Sequence, residues 1–539
     1  MTTPRVQSAS RIGSFRSLLI RIWNEHRLFV LVLVPAVLLR VDTELGYRWQ
    51  VWFNDSFDYI QNTVHFELDP TRPSGYSIWL KILEPFHTYA LVTILQHLMG
   101  LAIAVLIYAL ARHRFGVPKW AATLATVPVL YDGFEIQLEH LILADIPFLF
   151  VITLAITVLL WNKEKPSLLR CAFIGLLLGI ADVLRSVSLP LLILIAVYLL
   201  LQRVNLLRII AMGIACALPV LVYAGAFDIE HGQFALTDST GVFLYSRTMT
   251  FAECSKMNIP SDEKLLCTSV PPADRPIAQA YIWTTSGYAA GPDGLLHRYT
   301  NPLDRLGPSK FSPLPNKLAE KFAIAAILAQ PAAYARTVFD DTWKVFGFKR
   351  TVFPQPATYD EYVFSRYPLG IPSYNLAKLG PYKSYAAAYV QGNPYTHVVQ
   401  PFAAIIETYE KHVYLPGTIY GLILLLGAGG IVLAWRRAGG EALLPWTISL
   451  SMIVVPAATA EFDYRYVLPA VPFACLAAVM AFAPGTPGGR FLRELVDGVR
   501  RGREAALPPG GPVSGAGDGP GDGPAQAGDD DRDLASDGV

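Results

Sequence analysis

Long apolar runs recur along this chain, and they constrain its fold more than any other feature. A helix needs about 20 apolar residues to cross a hydrocarbon core, so the shorter runs require a place inside a helix bundle or a thinned bilayer. Charged residues make up 16% of the sequence, below the share of about 25% that is usual in soluble domains. We predict an all-α polytopic membrane protein with about ten transmembrane helices. The predicted spans are residues 28–43, 89–110, 117–131, 141–161, 168–184, 187–202, 205–226, 414–435, 443–460 and 466–484.

Basic residues fall in every second connection between these spans. Arginines precede the first span, and the later basic connections are RHRFGVPK, NKEKPSLLR, QRVNLLR, WRRAGG and RFLRELVDGVRRGR. Because Lys and Arg are enriched in cytoplasmic loops, we predict that both termini are cytoplasmic. The first apolar run has no small-residue cleavage site after it, which favours a retained helix over a signal peptide. The predicted location is the cell membrane, with the functional loops on the extracytoplasmic side.

Composition divides the chain into regions. A Pro-, Tyr- and Gly-rich segment between the seventh and eighth spans is predicted to be an extracytoplasmic mixed domain, in which Pro331 splits a helical pattern into two short helices. The C-terminal tail, rich in Gly, Pro and Asp, has too little apolar content to fold. The regions are a cytoplasmic N-terminus (1–27), a seven-helix membrane module (28–226) with a long outer loop (44–88), the extracytoplasmic domain (227–413), the C-terminal transmembrane helices (414–484) and a disordered cytoplasmic tail (485–539).

Two of the five cysteines lie in the predicted extracytoplasmic domain. Cys254 and Cys267 flank the segment SKMNIPSDEKLL, and that spacing outside the cytoplasm favours a loop-closing disulfide over a metal pair. The other three cysteines lie within predicted spans, where Cys behaves as a small apolar residue.

The first outer loop contains the stretch NDSFDYIQNTVHFELDPTRPSGYSIWLKIL. Its apolar residues recur at helical spacing before and after Pro73, which predicts two amphipathic helices at the outer membrane surface. Asp55 or Ser56 is placed to cap the first helix, and Arg72 precedes the second. Capping and solvation are the simplest explanation for a single loop aspartate.

Other charged residues lie at the outer ends of predicted spans. Charges at such positions are costly unless they pair, face a cavity or bind a ligand. These residues have both signs and lie on one side only, which favours a functional cluster there. They are Glu139, Asp145, Asp182, Arg185 and Arg465, with Tyr466 beside the last of them.

Four sequence motifs that contain most of these residues resemble, in their order along the chain, motifs of the GT-C superfamily of membrane glycosyltransferases. The motifs are DSFDYI…RPSGY, LADIPF, GLLLGIADVLRSVSLP and YRYVLPAVPF. The long outer segment between the seventh and eighth spans is similar to the branch that contains the lipid A aminoarabinose transferase and the protein O-mannosyltransferases. The resemblance implies an enzyme that moves a sugar from a polyprenyl-phosphate donor to an extracytoplasmic acceptor. The acceptor class stays open among a cell-envelope glycan, a lipid and a protein.

This chemistry assigns roles to the outer residues. A carboxylate serves as general base toward the acceptor hydroxyl, and Asp55 is the candidate. Arg185 and Arg465, with Arg72 behind them, offer planar cations to the donor phosphate, and Tyr466 a hydrogen bond. Direct displacement with one base implies inversion at the anomeric carbon, as does the resemblance. Asp145 is a second catalytic candidate, and the residues predicted to bind the acceptor or support the site are Asp58, Tyr59, Tyr76 and Glu139.

These motifs identify no definite cofactor and leave a divalent metal ion open. Asp55 and Asp145 together with phosphate oxygens would suit Mg²⁺ or Mn²⁺, and a cap of the helix before Pro147 is the alternative role of Asp145. His65, His87, His97, His140 and His231 show no metal-binding spacing and are expected to be ordinary surface or core residues.

Two other functional classes remain as alternatives. A transporter or flippase for a lipid-linked or anionic substrate would favour inverted repeats and ionisable groups near the membrane midplane, and neither pattern is evident in the sequence. A non-catalytic scaffold leaves the one-sided charges unexplained. No nucleic-acid partner is expected, since the formal net charge is only +1.

Overall fold

The computed structural model describes residues 7–186, 188–290, 296–365, 379–437, 439–491, 493–494 and 497–498, and these residues are mostly helical. All the elements discussed below belong to the unit Met1–Phe491. Most of the predicted C-terminal tail lies outside the described residues.

The helices of the N-terminal half follow the apolar runs closely. They are Gln7–Gly46, Asn54–His65, Gly75–Leu83, Tyr89–Ala109, Lys119–Leu124, Val127–Tyr131, Gly133–His140, Asp145–Leu160, Leu168–Leu184, Ser188–Leu201 and Leu206–His231. The helices of the C-terminal half are Thr240–Thr248, Ala278–Trp283, Pro313–Ala329, Pro331–Lys344, Pro356–Tyr359, Leu379–Val390, Phe402–His412, Gly417–Leu433, Leu443–Thr459, Tyr464–Val467 and Val471–Met480.

Two helices among the described residues are long and apolar enough to cross a membrane, Tyr89–Arg114 (an α-helix continued by a π-helical turn) and Leu206–His231. The number rises to four if each of two sharply bent helix pairs forms one span. The remaining apolar helices have 10 to 17 residues, so the count of ten spans stays a prediction. The apolar helices support a location in the membrane.

Several predicted boundaries differ from those observed, and two of the differences concern the first and third predicted spans. The predicted span 117–131 is broken into two short helices, Lys119–Leu124 and Val127–Tyr131, with Pro128 at the start of the second. Proline lacks the amide hydrogen that would continue the first helix into the second. The first helix extends beyond the predicted 28–43, with a kink at His26.

The segment after Leu206–His231 carries a hydrophobic core of its own. Val242, Tyr245, Leu266, Tyr281 and Phe322 are among its buried members. A short antiparallel hairpin pairs strand Gly287–Ala290 with strand Leu296–Tyr299. Helices and strands are therefore mixed in this part of the chain.

Pro331 divides a helical stretch, as predicted, into Pro313–Ala329 and Pro331–Lys344, which meet at an angle of 101°. Cys254 and Cys267 are joined by a disulfide, with their Cα atoms 6.1 Å apart. The bond closes a loop against the same hydrophobic core, since both cysteines pack beside it.

The outer loop 44–88 forms the two predicted helices, Asn54–His65 and Gly75–Leu83. Before the first of them, strand Tyr47–Arg48 pairs antiparallel with strand His397–Val398 from the far end of the outer segment. Residues distant in sequence are thereby brought beside the outer loop.

Candidate active site

Asp55 does not cap the first helix of the outer loop. The helix begins at Asn54, and the backbone amide of Phe53 donates to the Ser56 hydroxyl at 3.0 Å. Asp55 lies in the first turn with its carboxylate directed at arginine side chains. The geometry therefore gives Asp55 a role other than the simple cap that its position in the sequence allowed.

Both carboxylate oxygens of Asp55 contact a guanidinium group. Oδ1 lies 2.9 Å from Nη1 of Arg72, and Oδ2 accepts a hydrogen bond of 2.8 Å from Nη1 of Arg465. Arg465 is 410 residues away in sequence, at the start of the final helical segment. Arg72 also lies 3.2 Å from Oδ2 of Asp58 and 3.8 Å from Oδ2 of Asp69. The predicted support residue Asp58 thus acts on Arg72.

A second ion pair joins two further predicted residues. Asp145, the first residue of helix Asp145–Leu160, accepts a hydrogen bond from Nη1 of Arg185, which directly follows helix Leu168–Leu184. The Asp145 side chain is 2% exposed and that of Arg185 is 17% exposed. A pair this deeply buried is costly to form in isolation, which is typical of residues that serve a site.

Tyr466 lies between the two ion pairs. Its ring centre is 5.2 Å from the guanidinium carbon of Arg185 and 5.2 Å from that of Arg465. Nη2 of Arg465 also donates to the Tyr466 hydroxyl at 3.3 Å. Six predicted residues are therefore brought together, and we call them the charged cluster: Asp55, Arg72, Asp145, Arg185, Arg465 and Tyr466.

Electrostatics within the cluster keeps Asp55 ionised. Burial opposes its ionisation, but the charges and hydrogen bonds of Arg72 and Arg465 outweigh burial and hold the pKa of Asp55 well below its usual range. Burial alone would lower the pKa of Arg72, yet the carboxylates around it, Asp55 first among them, raise it. Both members of this pair are therefore charged across the physiological pH range.

Tyr59 packs against the charged cluster, and Tyr76 packs against Tyr59. Burial raises the pKa of Tyr59, which faces the guanidinium of Arg72 at 5.5 Å. The rings of Tyr59 and Tyr76 meet edge to face at 4.8 Å. The Tyr76 hydroxyl donates to Oε1 of Gln96 at 2.7 Å.

Glu139 lies elsewhere. Its fully buried carboxylate accepts a hydrogen bond of 2.6 Å from Nη2 of Arg40, and its other oxygen lies 2.7 Å from Nδ1 of His97. Glu139 and Asp145 therefore have different partners, although they are only six residues apart in the sequence. The Arg40 side chain, inside the first predicted span, was not among the predicted site residues, and its burial next to Glu139 explains why that carboxylate turns inward.

Sequence reasoning also missed neighbours of Arg465. Asp463 lies 3.6 Å from Nε of Arg465 and caps the short helix that carries it. The Tyr362 hydroxyl donates to Oδ1 of Asp463 at 2.6 Å, and Glu361 accepts from the amide of Asn54 at 3.1 Å. The outer segment thus reaches the site through residues 361 and 362, for which no local sequence signal exists.

A close helix contact explains the glycine of the RPSGY turn. A Cβ atom at Gly75 would lie 2.3 Å from the backbone oxygen of Val183. Glycine therefore lets helix Gly75–Leu83 lie directly against the end of helix Leu168–Leu184, two residues before Arg185. This contact brings the loop that carries Arg72 to the helix end that carries Arg185.

Arginines supply the positive charge beside both acidic residues. Asp55 is held by Arg72 and Arg465, and Asp145 by Arg185. The hypothesis that Asp55 and Asp145 share Mg²⁺ or Mn²⁺ therefore stays a prediction.

A different set of side chains in the described residues has metal-binding geometry. Glu44, His97 and His140 each direct one potential ligand atom into a common space, with all three atoms within 4.8 Å of one another. The sequence spacing of the two histidines had shown no such site.

Comparison with known proteins supports the resemblance seen in the motifs. Residues 73–182 match the model of the dolichyl-phosphate-mannose-protein mannosyltransferase family. The predicted resemblance to the GT-C superfamily is confirmed. The match supports the prediction of a membrane glycosyltransferase. The matched stretch contains Asp145 and ends at Asp182, beside Arg185.

Solved structures align with the chain at low similarity. AglB, an archaeal oligosaccharyltransferase from Archaeoglobus fulgidus in complex with an inhibitory peptide and a dolichol-phosphate, is 15% identical, with a TM-score of 0.37 over 91% of this chain and 53% of its own. ArnT from Cupriavidus metallidurans bound to undecaprenyl phosphate is 14% identical, with a TM-score of 0.30 over 85% of this chain and 77% of its own. The chain thus spans about half the length of the oligosaccharyltransferase. No curated protein matches it in sequence.

Proposed function

We propose that this protein is an inverting membrane glycosyltransferase that moves a sugar from a polyprenyl-phosphate donor to an acceptor hydroxyl on the extracytoplasmic side. One observation carries the proposal: Asp55, Asp145, Arg185 and Arg465, which come from four separate outer segments, form one charged cluster around Tyr466. Buried charges of both signs at helix ends fit a site that handles an anionic leaving group and a proton.

Asp55 is proposed as the general base. As the acceptor oxygen bonds to the anomeric carbon, its proton passes to the Asp55 carboxylate. The bond between the anomeric carbon and the phosphate oxygen breaks, and the electron pair leaves with the polyprenyl phosphate. A single displacement of this kind inverts the anomeric configuration. A positioned carboxylate base contributes about 10²- to 10⁴-fold in rate.

The arginines of the cluster would prepare this base when the donor binds. With Arg72 and Arg465 on its two oxygens, Asp55 is ionised but weakly basic. A donor phosphate attracts the same guanidinium groups, since Arg presents five donors in a planar fork. Sharing Arg465 with phosphate would raise the pKa of Asp55 and increase its basicity in the donor complex.

Arg185 and Tyr466 are proposed to complete the phosphate site. The Asp145 carboxylate accepts a hydrogen bond from Arg185, and the Tyr466 ring centre lies 5.2 Å from the guanidinium carbons of both Arg185 and Arg465. In this assignment Asp145 is a positioning residue. Asp145 is also proposed to orient the acceptor from the same location beside Arg185.

The proposed orientation places the charged cluster outside and both termini in the cytoplasm. The basic loops that alternate along the sequence support it through the positive-inside rule. The proposed partners are the polyprenyl-phosphate sugar, membrane lipids and a glycan, lipid or protein acceptor. The transporter alternative would need charges spread toward the membrane midplane, whereas the residues found together here follow or precede helix ends.

A transfer assay with matched variants tests the proposal. Purified protein is incubated with a panel of labelled polyprenyl-phosphate sugars and with extracted envelope acceptors. Wild type is expected to release polyprenyl phosphate and label one acceptor class, while Asp55→Asn loses at least about 10² in turnover with donor binding little changed.

Asp58→Asn is the matched comparison, since Asp58 lies on the same helix and its carboxylate lies 3.2 Å from the same Arg72. It is expected to keep most of the activity. Full activity of Asp55→Asn, or loss in Asp58→Asn alone, would show that Asp55 is not the base.

A further inference from the structure

A compact group of ligand-type side chains lies away from the charged cluster. Glu44 comes from the end of helix Gln7–Gly46, His97 from helix Tyr89–Ala109 and His140 from the last residue of helix Gly133–His140. Nε2 of His97 lies 3.1 Å from Nδ1 of His140. Oε1 of Glu44 lies 3.8 Å from each of these nitrogens. Three separate elements therefore direct one atom each to the same point.

These three separations match a metal coordination shell. Nitrogen and oxygen ligands bind Zn²⁺ at about 2.0–2.1 Å, so two ligands of a tetrahedral site lie about 3.4 Å apart. The observed separations of 3.1, 3.8 and 3.8 Å lie on either side of this value. One ion at the centre would reach all three atoms with side-chain movements of a few tenths of an ångström.

The other nitrogen of each histidine is held by an acceptor. Nδ1 of His97 lies 2.7 Å from Oε2 of Glu139, whose Oε1 accepts from Arg40. Nε2 of His140 lies 2.7 Å from the backbone oxygen of Tyr47. A carbonyl oxygen and an arginine-paired carboxylate only accept, so the hydrogen-bond network assigns the imidazole hydrogens to these two nitrogens. Metal-binding histidines are oriented in the same way by a carboxylate or a backbone carbonyl.

The facing atoms are then three acceptors without a donor. The remaining nitrogens of His97 and His140 each present a lone pair to the other, at 3.1 Å. Both oxygens of Glu44 are buried without a hydrogen-bond partner. The Thr93 hydroxyl is near Glu44 but lies 3.1 Å from the backbone oxygen of Trp49, to which it donates. An unpaired buried carboxylate beside two lone pairs is unfavourable unless a cation lies among them.

We propose that Glu44, His97 and His140 bind one divalent transition-metal ion, with Zn²⁺ preferred. The ligand atoms are the Glu44 carboxylate, Nε2 of His97 and Nδ1 of His140. Two imidazoles and one carboxylate are a common ligand set for Zn²⁺, and three protein ligands leave a fourth position for water. This site is separate from the cation that Asp55 and Asp145 were predicted to share, and it does not depend on the proposed function.

The ion would fix the chain that leads into the charged cluster. The backbone oxygen of His140 accepts from the amide of Val51 at 3.2 Å, which joins the helix before Asp145 to the start of the outer loop. The Gln96 amide donates to the backbone oxygens of Glu139 and Leu141 at 2.8 and 2.7 Å. A metal at His140 therefore ties this junction to the end of the first helix.

Metal content of the tag-free, detergent-purified chain tests the site. After dialysis with Zn²⁺ and removal of free metal, elemental analysis is expected to find one equivalent in wild type. Replacement by Co²⁺ should produce the visible absorption of a four-coordinate cobalt ion. Glu44→Gln, which keeps the size of the side chain, and His140→Gln should each retain less than a tenth of an equivalent.

His231→Gln is the matched control, because His231 contacts the Leu68 backbone oxygen and lies outside the group. It should bind metal like wild type. Zn²⁺ should raise the melting temperature of wild type and His231→Gln but not that of Glu44→Gln.

Three results would overturn the proposal: wild type that takes up no Zn²⁺ or Co²⁺, binding in Glu44→Gln and His140→Gln that equals that of wild type, and loss of binding in His231→Gln. The first of these would indicate a proton shared between the two histidines in place of a metal. It needs no variant, so the proposal remains testable if a substitution prevents folding.

Discussion

Arg465 is the residue at which donor binding and base strength can be separated. Its Nη1 donates to Asp55 at 2.8 Å and its Nη2 to Tyr466 at 3.3 Å. Arg465→Lys keeps the positive charge but loses the planar fork, whereas Arg465→Ala loses both. The two substitutions therefore make different predictions for donor affinity and for the pH dependence of turnover.

The magnitude follows from the contacts. The Arg465 side chain is only 13% exposed, so solvent screens its interactions weakly. A hydrogen bond to a charged group contributes about 1.5–3 kcal/mol. Loss of one such bond to the donor phosphate in Arg465→Lys predicts donor binding weaker by about 10- to 150-fold.

The pH dependence separates Arg465→Ala from Arg465→Lys. Arg465 helps to hold the pKa of Asp55 below its usual range. Without that charge the pKa of Asp55 rises, so its carboxylate becomes protonated at a higher pH. The acid limb of the turnover profile should therefore move to higher pH in Arg465→Ala and stay nearly in place in Arg465→Lys.

Equilibrium binding of polyprenyl phosphate in detergent and single-turnover transfer across a pH series measure these effects. Arg336→Lys is the control, because the Arg336 side chain is 84% exposed and pairs only loosely with Asp340 at 3.7 Å. Donor affinity within twofold of wild type in both Arg465 variants would refute the phosphate assignment. An unmoved acid limb in an active Arg465→Ala would refute the coupling of this arginine to the base.

Further predictions concern stability, packing and topology. Replacing both Cys254 and Cys267 with Ser should lower the free energy of unfolding by about 3 kcal/mol, as measured by denaturation of the purified protein without reductant. Gly75→Ala should reduce transfer by disturbing the helix contact beside the site, whereas Gly213→Ala, which meets no atom within 4 Å, should leave it unchanged. A reporter that works only in the cytoplasm should be active when fused after Val539, whereas one that works only outside the cytoplasm should be inactive. The opposite result would reverse the proposed orientation.

The sequence by itself determined the local elements. Apolar runs and amphipathic spacing predict most of the helices, including the two in the outer loop, because a helix places residues three and four apart on one face. Pro331 marks a break since its ring and missing amide hydrogen prevent a continuous helix. The GT-C-like motifs also pointed to the charged residues at the helix ends. All of these signals act over a few residues, where the sequence is directly informative.

Only the tertiary structure decided which charges meet. Asp55 pairs with Arg465 from 410 residues away, while Glu139 turns inward to Arg40 and leaves Asp145 to Arg185. No local period encodes such contacts, because they depend on how helices from distant parts of the chain pack together. The group of Glu44, His97 and His140 arises in the same way, from three elements whose sequence spacing carries no metal-binding signal. Packing against distant backbone fixes these partners, and that is why they appear only when the chain is folded.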